Sequence, residues 1–158
     1  QFWLRTESPR PPLMIGGGTG YAPLRAMLRQ LVASGDRRPV QLYWGGRDLP
    51  DLYEHEWLQR LTDARPGFRY CPVLSGLPGG STADWSGCCG LVHEVVLADH
   101  PDLAGFDVYA SGPPAMIEAI REQFPTHGLP REQLFFDSFD YAPDTLAKLQ
   151  GQGSSPRG

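Results

Sequence analysis

The sequence predicts an α/β protein, a three-layer, doubly wound sheet of parallel strands with helices on both faces. Three observations carry this expectation. Short apolar runs alternate with segments whose apolar residues recur at helical spacing. Several runs end in small-residue turns, at residues 16–20, 45–46 and 111–114. Connections of helix length between strands imply parallel pairing with right-handed crossovers.

The elements follow in order. Residues 12–15 run apolar into Gly16-Gly17-Gly18-Thr19-Gly20. Leu24, Met27, Leu28, Leu31 and Val32 then fall at helical spacing, and Gly35 closes the segment. Residues 40–44 read as a strand ending at Gly45-Gly46, and 52–61 as a helix stopping before Pro66-Gly67. Residues 68–74 form a third strand. The stretch 75–90 is rich in Gly, Ser and Pro and reads as a long loop with Trp85 inside it. A helix over 91–98, a strand over 107–110, a helix over 115–124 and a short strand over 134–136 complete the pattern.

Residues 1–9 stand outside this scheme. Phe2-Trp3-Leu4-Arg5 reads as an extra strand with nothing to pair with, and is expected to be the last strand of a missing upstream domain. Gln1 in place of Met reads as a cut inside a longer protein. The domain proper is expected over 10–142, with 143–158, rich in Gln, Gly and Ser, as a loose tail.

Composition narrows the function. A chain of 158 residues suits one compact domain. Its net charge of -4, scattered arginines and single lysine, Lys148, offer no basic stripe for a nucleic acid. No run approaches the ~18 apolar residues of a membrane span, and no signal peptide opens the chain. Cys71, Cys88 and Cys89 lack Cys-x-x-Cys spacing and read as reduced thiols of a cytoplasmic protein.

In an open parallel sheet, ligands sit beyond the carboxyl ends of the strands. The glycines of the first turn allow backbone amides to close on a phosphate, with Gly17, Gly18, Thr19 and Gly20 as the candidate cradle. Pro23 suits the first turn of the helix that follows. No Lys-Ser or Lys-Thr follows, so this is not a P-loop. At the second strand end, Gly46, Arg47 and Asp48 stand where an adenosine ribose would lie. Arg47 suits a 2′-phosphate or the face of adenine, and Asp48 a free 2′-hydroxyl, which leaves NADH and NADPH open. At the fourth, Ser111, Gly112, Pro113 and Met116 form a small-residue turn beside which a flat ring fits.

The chain offers no Tyr-x-x-x-Lys arrangement, no Gly-x-Ser-x-Gly elbow and no ligand spacing among His55, His93, His100 and His127. A nucleotide site without its own acid, base or metal points to a second cofactor that performs the chemistry. Flavin fits, because hydride passes directly from nicotinamide to isoalloxazine.

Together, Gly16-Gly17-Gly18-Thr19-Gly20-x-x-Pro23, Tyr43-Trp44-Gly45-Gly46-Arg47 with Asp51-Leu52-Tyr53, and Tyr109-Ala110-Ser111-Gly112-Pro113-Pro114-x-Met116 resemble the ferredoxin-NADP reductase superfamily. The likeness covers roughly residues 1–142. It points in particular to NAD(P)H-flavin reductases and to reductase components of bacterial oxygenases and of deoxysugar dehydration. It implies an upstream flavin barrel that holds FAD or FMN, and NADH or NADPH bound here. It implies an electron acceptor that is free flavin or a protein such as a ferredoxin, with a [2Fe-2S] centre possible elsewhere in the full-length chain. By the same resemblance Gly18 to Gly20 hold pyrophosphate, Ser111 to Met116 lie near nicotinamide with Ser111 as the catalytic position, and Phe139 approaches the rings. Many members have Cys where this chain has Ser111, which makes a plastid-type ferredoxin reductase a poor match. A reductase is therefore expected, with a free flavin reductase and a non-catalytic nucleotide sensor as alternatives.

Overall fold

A computed structural model of the chain describes residues 2–76 and 85–138. Six parallel strands form one sheet: β1 (Pro12–Gly17), β2 (Val40–Gly46), β3 (Phe68–Leu74), β4 (Cys88–Cys89), β5 (Asp107–Gly112) and β6 (Leu134–Ser138). Their order is β4-β3-β2-β1-β5-β6. The chain therefore winds outward from β1 in one direction, returns, and winds outward on the other side. The reversal falls between β1 and β5, whose register pairs Ile15 with Ala110 and Gly16 with Ser111.

Four helices cover the sheet: α1 (Tyr21–Ser34), α2 (His55–Ala64), α3 (Val92–Asp99) and α4 (Pro114–Gln123). Alternation along the central strands divides the core in two. Met14, Leu42, Trp44 and Tyr109 pack with Leu24, Leu28 and Leu31 of α1 and Leu58 and Leu61 of α2. Leu13, Ile15, Tyr43, Val108 and Ala110 pack with Val92 and Val96 of α3 and Ile117 and Ile120 of α4. Every residue of β1 and β5 is buried, as a central parallel strand covered on both faces requires.

Helix ends follow the sequence signals. Gly35 closes α1 at φ 71°, and its amide returns to the carbonyls of Leu31 and Val32. Pro114 opens α4, where its missing N–H costs nothing.

Two expectations on element bounds need correction, and residues 2–5 pair with none of the six strands. They lie on the α1 face, where Leu4 is buried and the Arg5 amide donates to the Tyr109 hydroxyl at 2.9 Å, a side-chain bond in place of a ladder. The long loop ends in a fourth strand: Cys88 and Cys89 pair with Val73 and Leu74. Two residues are too short to show any periodicity. The second helix starts at His55, because Leu49–Asp51 first make a 3₁₀ turn closed by a capping box between Asp48 and Asp51. The tail, Phe139 and Tyr141 lie outside the described residues.

Candidate nucleotide-binding cleft

The carboxyl ends of β1, β2, β3 and β5 open onto a cleft of about 360 Å³, within the ~300–1,000 Å³ common for ligand sites. One wall is the tip of β1, Gly17 and Gly18. A second is the β2 tip, Gly45 to Arg47 with Asp51, and Ser75 beyond β3. The remainder comes from Gly90 to His93 ahead of and within α3, and from Pro113, Ala115 and Met116 after β5. The two small-residue bends expected to face each other at β1 and β5 are neighbours here, at the switch point where such sheets bind ligands.

The first bend is a 3₁₀ turn over Gly18–Gly20. Gly18 has φ +55°, a left-handed backbone that favours glycine, and the space where a Cβ would point is open. Gly20 has ordinary helical angles, so its requirement is different. A Cβ there would run into the Ser111 carbonyl, because the turn lies directly on the end of β5. Trp44 holds the turn from the other side: its indole N–H donates to the Gly18 carbonyl at 2.9 Å. The indole is fully buried and stacks on Tyr21, with ring centres 4.0 Å apart and planes 15° apart. Tyr21 in turn donates to Glu54 at 2.7 Å, and burial, reinforced by that carboxylate, pushes its phenol well above the ordinary range.

Met116 spans the floor between the two bends. Cβ atoms on Gly17 and Gly112 would each lie 2.7 Å from its thioether end. Glycine at both positions thus leaves room for one flexible side chain to pack across the two strand ends. At the β2 tip the Asp51 carboxylate accepts from the amides of Arg47 at 2.9 Å and Asp48 at 3.3 Å. That bond fixes the loop and sets a carboxylate in the cleft wall. Gly45 lets α3 approach, since a Cβ there would lie 3.0 Å from the Val92 Cβ.

Gly17, Gly18, Gly46, Arg47, Pro113 and Met116 therefore line the cleft as the sequence suggested. Gly20 and Gly112 are buried supports beneath it, and Thr19 and Asp48 are exposed beside it. Pro23 sits in the first turn of α1, partly exposed and away from the cleft lining. Ser111 reaches the switch point but not the cleft wall. It is fully buried on the strand face that it shares with Tyr109, and its Oγ has no hydrogen-bond partner among the described residues. Phe139 lies outside the described residues. Trp44, Asp51, Ser75 and His93 were not singled out as site residues. Asp51 carried a usable signal in its capping-box spacing from Asp48, and Trp44 and Asp51 both fall in the motif at the second strand end; Ser75 and His93 carried none.

Among the described residues no group of three or more His, Cys, Asp or Glu stands together as a metal site, and no helix is long and apolar enough to cross a membrane.

Comparison with known proteins agrees with this geometry. Residues 14–122 match the family model described as the oxidoreductase NAD-binding domain. A CDP-6-deoxy-L-threo-D-glycero-4-hexulose-3-dehydrase reductase of Yersinia pestis is 39% identical over 141 residues, covering 87% of this chain and 40% of that protein. An NAD(P)H-flavin reductase of Aliivibrio fischeri is 38% identical over 142 residues, covering 89% of this chain and 58% of that protein. The crystal structure of a cytochrome P450 reductase from Amycolatopsis superposes with a TM-score of 0.78 at 33% identity, over 88% of this chain and 41% of that one. This chain thus spans between two-fifths and three-fifths of these relatives. It belongs to the oxidoreductase NAD-binding domain family.

Proposed function

We propose that the chain is the nicotinamide-nucleotide-binding half of a cytoplasmic flavin-dependent reductase. The observation that carries this reading is the adjacency of two bare-backbone strand tips, at β1 and β5, across one cleft. The amides around Gly17 and Gly18 hold the pyrophosphate, with Thr19 at its exposed edge. The turn at Pro113 and Met116 receives the nicotinamide. Ser111 supports that turn from the buried strand face, where its carbonyl lies against the Gly20 backbone. Arg47 and Asp51 meet the adenosine end. A carboxylate held in the wall by two amides suits the hydroxyls of an adenosine ribose and repels a 2′-phosphate, so NADH is the preferred nucleotide.

The flavin, FAD or FMN, supplies acceptance of hydride from the reduced nicotinamide and release of electrons onward. It is held by a flavin-binding barrel upstream of this domain. The acceptor is a one-electron protein centre such as a ferredoxin or a [2Fe-2S] cluster, a reading supported by the cytochrome P450 reductase and by a ferredoxin reductase in carbazole 1,9a-dioxygenase, 28% identical with a TM-score of 0.74. Free flavin is the second reading, favoured by the identity to an NAD(P)H-flavin reductase.

Calorimetric titration of the chain with NADH and NADPH tests the binding role. NADH binds more tightly than NADPH, Asp51→Asn narrows the difference, and Arg47→Ala weakens both. Equal affinity for the two nucleotides in the wild type, or an Arg47→Ala variant with unchanged binding, contradicts these assignments.

A further inference from the structure

Three of the four histidines have partners. His55 Nδ1 lies 2.8 Å from the Tyr70 hydroxyl, His100 Nε2 lies 2.9 Å from Gln41 Oε1, and His127 Nδ1 lies 3.1 Å from the Pro101 carbonyl. His93 is the most interesting exception. Only 7% of it is exposed, it lines the cleft, and no hydrogen bond or ion pair engages it among the described residues. Its ring nitrogens are not sealed from solvent, so a ligand in the cleft can reach them and take the place of water.

Its position gives such a ligand a chemical character. His93 is the second residue of α3, whose cap position is Leu91, a residue with no side-chain acceptor to offer. The first intrahelical bonds run from Glu94 and Val95 to the Leu91 carbonyl, so the amides of Val92 and His93 precede them. A helix start with uncapped amides, beside an imidazole N–H, favours an anion. Glycine at position 45 seats this helix start against the β2 tip, bringing it to the same cleft as Gly17 and Gly18. The opposite wall carries the Asp51 carboxylate, which suits hydroxyls and not phosphate.

We propose that His93, with the first turn of α3, is a further binding residue that takes a phosphate oxygen of the dinucleotide across the cleft from the glycine turn. This rests on the nucleotide-binding reading above. His93 acts in binding and not in hydride transfer.

The test is amide NMR titration of the chain with ADP, with adenosine and with NADH, for the wild type, His93→Leu and His93→Gln. His93→Leu weakens ADP roughly tenfold, the loss expected for one hydrogen bond to a charged oxygen, and changes adenosine less than about twofold. His93→Gln keeps an N–H donor and recovers part of the ADP affinity. Unchanged ADP binding in both variants overturns the proposal while leaving the cleft assignment intact. Equal losses for ADP and adenosine also overturn it, since they assign His93 to packing. A wild-type chain that binds neither ADP nor NADH removes the nucleotide site itself, and this inference with it.

Discussion

At the amino ends of the strands, charged side chains clamp the loops together, whereas at the carboxyl ends bare backbone borders a cleft. Arg10 pairs with Asp107 at 2.7 Å, and the carboxylate is 1% exposed. Arg38 donates to the carbonyls of Arg5 and Ser8 and pairs with Asp36, while Arg65 donates to the carbonyls of Asp36 and Arg38. Long cations at this end satisfy the loop carbonyls. The other end replaces such side chains with Gly17, Gly18, Gly45 and Gly46, and holds its turn from beneath through Trp44. The contrast is one of side-chain ion pairs against glycine backbone at the two ends of one sheet.

Substitutions at the two ends should therefore separate stability from affinity. The largest effect is expected where the ends of β1 and β5 touch. Gly20→Ala forces a methyl group into the Ser111 carbonyl and costs about 3 kcal/mol, read from chemical denaturation. Gly18→Ala meets open space and costs only the positive φ, about 1 kcal/mol. Equal costs at the two positions would refute the close approach of the turn to β5.

Next is the amino end. Arg10→Met leaves the buried Asp107 without its cation and lowers stability by about 2 kcal/mol, with NADH affinity unchanged once the protein is folded. A loss of affinity in a folded variant would show that the two ends are not independent. The smallest effect concerns the thiols. Cys71 lies beneath the β4 edge, 3.3 Å from Cys88, and burial, with the neighbouring thiol, pushes it up to about 12. A native thiol titration at pH 8 should leave Cys71 unmodified until the chain unfolds, and rapid labelling would show that the edge strand opens easily.

Much of this division was legible in the sequence. The glycine cluster at 16–20 and the Ser-Gly-Pro-Pro turn at 111–114 each follow an apolar run and precede helical spacing, so their place at strand ends could be read directly. Their adjacency followed from parallel topology. Other features depend on tertiary contact and leave no local pattern. Cys88-Cys89 becomes a strand only because Val73 and Leu74 lie beside it. Residues 2–5 have strand-like composition, and only the tertiary structure shows Leu4 buried against the α1 face. His93 resembles any other helical histidine until α3 is seated by Gly45. Strand alternation turns the Ser111 side chain to the Tyr109 face, a direction that the turn motif alone does not reveal.

The most direct test of the central claim is an amide NMR map of NADH binding to this chain. The account predicts perturbations at Gly17, Gly18, Gly46, Arg47, Gly112 and Met116, with Arg10, Asp36 and Asp107 unmoved. Perturbations centred on the amino ends of the strands, or none up to millimolar NADH, would contradict it.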